Sequence, residues 1–178
     1  MIDPDGEPWT LEGFTAGVKT TGVWSVVQLS ELRGESRLDA EFWQPKYLQS
    51  ERVTKGNQWT TLGDLATSIR KGIFYILASE YTKEGIPFYR SSNVSDIVPS
   101  EHKLVHISQQ KNEEENRTCL KQGDLMLSKT GQEGASIVLR KCNISQDVIG
   151  VRLKTKAINP FYLVTYLNTR TGKLQMLR

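Results

Sequence analysis

The sequence is short of the residues that metal and redox chemistry need, with two cysteines and two histidines in 178 residues. Cys119 and Cys142 stand too far apart for a zinc ribbon, which takes closely paired ligands on both sides of the metal. They read as reduced, structural thiols. His102 and His106 lie four apart in HKLVH, a spacing that can put both imidazoles on one helical face, yet no acidic third ligand is near. Val105, Ile107 and the flanking serines read instead as a short strand entering a helix, and no metal site is expected. No apolar run approaches the roughly 18 residues of a membrane span. The opening MIDPDGEPW has acidic residues and prolines in place of the basic start and apolar stretch of a secretory signal, so a cytoplasmic location with no membrane partner is expected. Catalytic signatures are equally sparse. In Ser128-Lys129-Thr130-Gly131-Gln132-Glu133-Gly134 the lysine precedes both glycines, so the Gly-x4-Gly-Lys-Ser/Thr order of a phosphate loop is absent. Glu113, Glu114 and Glu115 are consecutive and point around a helix, whereas a metal nuclease needs carboxylates that converge. No Ser/His/Asp or Cys/His set has a supporting local motif. Asn159-Pro160-Phe161-Tyr162 lacks the second proline of the amino-methyltransferase Asn-Pro-Pro-Tyr/Phe motif, and no Gly-rich cofactor loop precedes it. The expectation is a non-enzymatic chain without a cofactor.

What is present is an uneven charge. The net charge is +3, but residues 1–60 carry 6 Lys/Arg against 9 Asp/Glu and residues 61–178 carry 17 against 11. From Arg140 to Arg178 the count is 8 basic to 1 acidic. A basic region of this kind attracts a polyanion, or is simply a solvated face. The length suits one domain with its own core, expected over residues 35–178 behind a partly ordered extension, 1–34. The first 22 residues lack periodicity and read as poorly ordered or as a peripheral hairpin. Trp24–Leu29 alternates as a short strand. Asp39 can cap a helix with an apolar stripe of Phe42, Trp43, Tyr47 and Leu48, starting late or bending at Pro45. Leu62, Leu65, Ala66 and Ile69 are at helical spacing, with Thr61 or Gly63 near the start and Gly72 at the end; residues 73–84 read as a loop. Short strands follow at Ile86–Arg90, Leu104–Ile107, Asp124–Ser128, Ala135–Arg140 and Val148–Lys154, with a surface helix capped by Ser108 between the second and third. Asn159-Pro160 opens a last helix with an apolar face of Tyr162, Leu163, Tyr166 and Leu167. Helices flanking a strand-rich centre without regular alternation predict an α+β fold.

Five phrases occur in an informative order: RLDAEFWQPKY, TLGDLATSIRKG, GIPFYRSSNV, GDLMLSKTGQEGAS and NPFYLVTYLNTRTGKLQM. Singly they are unspecific. In this order and spacing, over roughly residues 35–178, the chain resembles a target-recognition domain of the specificity (S) subunit of type I restriction-modification systems. The resemblance implies sequence-specific recognition of double-stranded DNA, with partner modification (methyltransferase) and restriction subunits carrying the chemistry. A full specificity subunit is similar to two such domains joined by long helices in an antiparallel coiled coil. This chain departs in size, reaching Arg178 where that arm is truncated or absent, which leaves a half-subunit pairing with a second recognition domain or with itself, a stand-alone relative, or a shortened chain. Two alternatives stay open: the recognition domain of a fused restriction enzyme-methyltransferase, and a protein-interaction module that does not read DNA directly.

DNA recognition needs donors for phosphates and side chains that match base edges. The residues expected to supply them are Lys71, Tyr75, Arg90, Ser92, Asn93, Lys129, Thr130, Gln132, Arg152 and Lys154. Arg90-Ser91-Ser92-Asn93 follows a strand, where a turn can offer Arg90 to guanine and Asn93 to adenine; equally, Asn93 can bond its own backbone and Arg90 a carboxylate. Lys129, Thr130 and Gln132 sit in a loop with two glycines that is also compatible with a plain hairpin turn. Arg70 and Lys71 with Phe74 and Tyr75 combine cations with aromatics able to stack or wedge, although cations at a helix end also complement its dipole. Arg152, Lys154 and Lys156 share a strand face suited to phosphates or to solvent, and Arg140-Lys141 can also touch phosphates.

Overall fold

Proline placement and strand pairing account for most element boundaries in the computed structural model, which describes residues 25–32, 39–56, 59–128, 133–154 and 158–177. Two units, Met1–Gln49 and Ser50–Arg178, divide the chain. In the first, Leu29–Leu32 forms a single helical turn, α1, where alternation predicts the end of a strand. An extended segment is stabilised by a ladder partner, and among the described residues none pairs with 25–29. Asp39 caps a turn, its Oδ1 accepting from the Phe42 N–H at 3.0 Å. The helix α2 (Pro45–Lys55) starts late, at the proline, whose missing N–H costs nothing in the first turn. Phe42 and Trp43 therefore precede the helix, edge to face with 5.3 Å between ring centres, rather than joining its apolar stripe; Trp43 and Tyr47 are buried. The segment 1–22 and the expected boundary at 34/35 lie outside the described residues.

In the second unit Thr61 caps α3 (Leu62–Leu65). Its Oγ1 accepts from the Asp64 N–H at 3.1 Å while the Asp64 carboxylate accepts from the Thr61 N–H at 3.2 Å, a reciprocal box that satisfies two orphan donors. The helix expected to run through Ile69 stops after one turn, and Ala66–Lys71 is a strand, β1. Thr67 and Ile69 are β-branched and Ser68 competes with helical hydrogen bonding, so the ladder with a partner strand outweighs the helical spacing of the leucines. Gly72 is accordingly not a helix cap. A Cβ there would fall 2.1 Å from the Ile144 carbonyl oxygen and 2.3 Å from that of Ser145, so glycine is required for close backbone approach.

The expected loop 73–84 contains a 3-10 turn, Ala78–Glu80, and a short strand, β2 (Tyr81–Thr82). There follow β3 (Ile86–Tyr89), a 3-10 turn Ser91–Asn93, β4 (Val105–Ile107) and α4 (Gln109–Glu114). Ser108 caps α4 as expected, its Oγ accepting from the Lys111 N–H at 3.0 Å. A 3-10 turn at Asn116–Thr118 leads to β5 (Leu125–Ser128), β6 (Ala135–Ile137), β7 (Asn143–Ile144) and β8 (Val148–Leu153). Two helices close the unit, α5 (Pro160–Asn168) and α6 (Arg170–Leu177). Asn159 caps α5, with Oδ1 accepting from the Phe161 N–H at 2.9 Å.

Among the described residues the strands form two four-stranded sheets. The first, β1-β8-β5-β6, is antiparallel throughout; the second, β2-β4-β3-β7, is antiparallel except for a parallel β3/β7 pair. The fold is α+β, as the sequence predicts. Register sorts the first sheet's side chains cleanly. Leu125 is opposite Ile137 and Val151, whereas Met126 is opposite Ser136 and Gly150. Leu125, Leu127, Ile137 and Val151 pack with Leu163, Val164 and Leu167 of α5. The buried stripe of α5 is thus Leu163, Val164 and Leu167, and Tyr162, expected on that face, is 66% exposed. Met126 and Val148 on the opposite face pack with Tyr89 and Ile144 of the second sheet, joined by Leu120, Val138 and Cys142. Asn168 ties helix to sheet, accepting from the Ala135 N–H at 3.0 Å and donating to the Ala135 carbonyl at 2.8 Å.

Candidate nucleic-acid interface

Alternation along β1 and β8 carries Ser68 and Arg70 to the same sheet face as Gly150 and Arg152, since Ser68 pairs with Arg152 and Arg70 with Gly150. This is the face turned away from α5. Near the β1 edge it opens into a groove of about 630 Å³. One wall is Thr67, Ser68 and Arg70 of β1 with Gly150 and Arg152 of β8. The other is Asn116, Arg117 and Thr118 of the 3-10 turn, continuing through Cys119, Leu120 and Lys121, with Lys141 and Ile144 completing it. Five cations, Arg70, Arg117, Lys121, Lys141 and Arg152, line the groove, and among the described residues its lining contains no carboxylate; Glu115 and Asp124, outside the lining, pair with Arg117 at 3.8 Å and with Arg152 at 2.8 Å.

The second wall is held by a buried polar cluster. The Thr118 hydroxyl donates to Asn143 Oδ1 at 2.7 Å, and Asn143 Nδ2 donates to Asn112 Oδ1 and to the Glu115 carbonyl, each at 3.3 Å. The amide of Asn143 thereby fixes α4 and the 3-10 turn to β7, which positions Arg117. Buried side-chain amides satisfied in this way fix geometry because leaving any member unpaired is costly. Arg152 is oriented from beneath by Asp124. Its Nε lies 3.1 and 3.3 Å from the two carboxylate oxygens, and its Nη2 is 2.8 Å from Oδ2 and 3.2 Å from the Cys119 carbonyl. The hydrogen bond to Asp124 raises the guanidinium's pKa above its usual value, so the charge is retained throughout the working range. Arg70, Lys71, Lys121 and Lys141 make no ion pair among the described residues. Burial pushes the Cys142 thiol up to about 12, making it an inert core group; Cys119 borders the groove.

A smaller recess of about 390 Å³ adjoins the groove and shares Arg70, Arg117 and Thr118 with it. Its remaining lining is Lys71, Gly72, Phe74, Gln146 and Asp147. Of the expected contact residues, Arg152 and Lys71 are therefore brought to neighbouring parts of one surface, and Tyr75 is exposed next to Phe74 in sequence. Arg90 and Asn93 do other work. Asn93 is fully buried, its Nδ2 donating to the Ser100 and His102 carbonyls at 3.0 and 3.1 Å and its Oδ1 accepting from the Arg90 N–H at 3.1 Å. Both N–H bonds of its amide are spent on closing the 93–102 loop and the side chain is buried, so it is not offered to a base edge. Arg90 Nη2 donates to the Lys103 carbonyl at 2.7 Å, fastening the same loop at a residue with φ of 53°. Ser92 is exposed on that turn. Lys154 donates from Nζ to the Asp64 carbonyl, a helix-end carbonyl at the α3/β1 junction. Lys129, Thr130 and Gln132 lie outside the described residues, as does Lys156.

Arg117, Lys121 and Gln146 were not singled out by the sequence. They sit in a helix end and two turns whose composition resembles any solvated loop, and only the folding of those turns against β1 gathers them. Arg70 stands out beside Lys71 and the aromatics, but as a helix-end cation; its alternation with Ser68, which sets its face, is obscured by the helical reading of 62–69.

No protein-family model and no curated protein sequence matches the chain. Solved structures do. The HsdS subunit from Thermoanaerobacter tengcongensis superposes with a TM-score of 0.52 at 20% identity, covering 82% of this chain and 37% of that one. A structure described as the basis of complex assembly and conformational transition of the type I R-M system gives a TM-score of 0.50, again at 20% identity and with the same coverage. The chain spans about 37% of the length of these proteins. Over that region its fold is similar to part of these type I R-M structures, the kind of system that the ordered sequence phrases point to.

Proposed function

We propose that the chain reads double-stranded DNA as a target-recognition domain of a type I specificity subunit, directing partner methyltransferase and restriction subunits while doing no chemistry itself. The single observation that carries this reading is the groove at the β1 edge, with its five cations and no lining carboxylate. A surface of that sign concentrates a polyanion and gains free energy by releasing the counterions condensed on DNA. Arg70, Lys121 and Lys141, which make no ion pair among the described residues, are the freer phosphate partners, and Arg117 adds a guanidinium whose Nε lies 3.8 Å from Glu115 Oε2. Arg152, oriented through its Nε and one Nη by Asp124 and the Cys119 carbonyl, is a pre-set one, losing less freedom on binding. Thr67, Ser68, Asn116 and Thr118 supply neutral hydrogen-bonding groups between the charges, of the kind that fix register on a duplex.

The test is binding of the chain to a pool of duplexes by fluorescence anisotropy at stepped salt concentrations. The reading predicts retention at low salt that falls steeply as salt rises, and loss of retention when Arg70, Lys121 and Lys141 are changed to Glu. Duplex binding that is absent at low salt, or unchanged by the three reversals, contradicts it.

A further inference from the structure

Phosphate contacts hold a duplex without reading it, so a recognition domain also needs side chains at base edges. The recess beyond Arg70 differs in chemistry from the groove it joins. It adds Phe74, Gln146 and Asp147, an apolar ring, a neutral amide and a carboxylate. Lys71 lines the recess as well, so its rim stays cationic, while Phe74, Gln146 and Asp147 offer a phosphate no positive partner and are left to face other parts of a duplex.

We propose, resting on the DNA-reading function above, that this recess is a base-reading site in which Gln146 selects adenine and Phe74 packs against the neighbouring base. The Gln146 side chain is exposed and makes no hydrogen bond within the described residues, leaving both its carbonyl and its NH2 free. That pair matches the N6 donor and N7 acceptor of adenine in the major groove. Phe74 is 78% exposed, and an apolar ring beside a polar reader is suited to a base face or a thymine methyl.

Both residues are presented on fixed backbone. Gln146 sits in the turn between β7 and β8, where the Val148 N–H donates to the Ser145 carbonyl at 2.9 Å and the Ser145 N–H to the Tyr89 carbonyl at 3.0 Å. The chain leading to Phe74 is bound to the same turn, the Gly72 N–H donating to the Val148 carbonyl at 3.1 Å and the Ile73 N–H to the Ile144 carbonyl at 2.8 Å. Gly72, with no room for a Cβ against the Ile144 and Ser145 carbonyls, permits this approach. A reader on a braced turn keeps its geometry when the ligand arrives, which is what discrimination between base pairs requires.

The experiment is selection of binding sequences from a randomised duplex library by the full chain, with Gln146→Ala, Gln146→Glu, Phe74→Ala and, as a groove comparison, Lys121→Ala. The wild-type chain is expected to enrich adenine at a defined position. Gln146→Ala should flatten that position and weaken the selected duplex about tenfold, with binding to random duplex little changed. Gln146→Glu should move the preference toward cytosine, whose N4 donates to a carboxylate. Phe74→Ala should weaken selection at the adjacent position, and Lys121→Ala should weaken all duplexes evenly. If the wild type selects a sequence and the Gln146 and Phe74 variants select the same one with equal affinity, the base-reading assignment is overturned and the DNA-reading function stands. If the wild type retains no duplex at low salt, both fall together.

Discussion

The two faces of the first sheet use the same strands for opposite ends. In β8, Val151 is fully buried among leucines and valines under α5, while its neighbours Gly150 and Arg152 line the groove. In β5, Leu125 lies under α5, and Met126 packs on the second sheet. One face is an apolar layer that a helix covers over β8, β5 and β6, while Ile69 of β1 on the same face stays 46% exposed. The other is apolar only where the second sheet covers it, and cationic where the covering stops near β1. Because side chains alternate with a period of two, stability and ligand contact are set by adjacent residues and can vary independently. A one-residue slip of β8 would exchange Arg152 for a core valine, so the helix-covered face also fixes the register that puts the arginine in the groove.

That contrast can be broken on the apolar side first. Leu125→Ala removes a fully buried side chain from the layer beneath α5, and urea unfolding should show a loss of about 2–5 kcal/mol. A loss well under 1 kcal/mol would mean that α5 does not seal this face. Next is Asp124→Ala, at the point where the two roles meet. Asp124 is buried, while the Arg152 side chain it holds is 39% exposed. Solvent screens part of the unpaired charge, and the expected loss is about 1–3 kcal/mol, together with weaker binding to all duplexes because Arg152 is no longer oriented.

A smaller effect is expected at the surface carboxylates. Hydrogen bonds from Thr61 hold the Asp64 carboxyl below the usual range, and the Leu77 N–H and Lys111 do the same for Glu80. A depressed folded pKa contributes stability that is present above the ordinary carboxylate value and disappears as pH falls through the lowered one. The thermal midpoints of Asp64→Asn and Glu80→Gln should therefore lie slightly below wild type at neutral pH and merge with it in acid; a gap that persists unchanged in acid would assign the difference to something other than ionisation. The smallest effect on folding belongs to the groove. Changing Arg70, Lys121 or Lys141 to Ala should move the unfolding free energy by no more than about 0.5 kcal/mol each, whereas the proposed function has the same changes weaken duplex binding most.

Much of the scaffold could be read before it was seen, and for identifiable reasons. Ser108 and Asn159-Pro160 announce their helices because capping is local chemistry, and the runs at 86–89, 105–107, 125–128, 135–137 and 148–153 are short, apolar or alternating, and bounded by turn residues. β1 was hidden because Leu62, Leu65 and Ile69 imitate a helical face, and only the ladder to β8, whose partners lie 78 to 87 positions away in sequence, decides the matter. The site was less legible than the fold. Arg152 carries charge in a strand, where alternation gives a face, and Lys71 stands out as a cation beside Phe74 and Tyr75 although the sequence reads it at a helix end. Arg117, Lys121 and Gln146 acquire meaning only from the Asn143 cluster and the Gly72 contact that fold their turns toward β1. Asn93 shows the converse: the residue type that best matches adenine is also the one that best closes a turn, and burial decided for the turn.

The most direct test of the central claim is the salt dependence of duplex binding, wild type against the chain carrying Arg70→Ala, Lys121→Ala and Lys141→Ala together. Each neutralised phosphate contributes about 0.9 to the slope of log affinity against log salt. The slope of the triple variant should be shallower by roughly two to three, with its unfolding curve close to wild type. An unchanged slope, in a variant that remains folded, would show that DNA does not lie along this edge of the sheet.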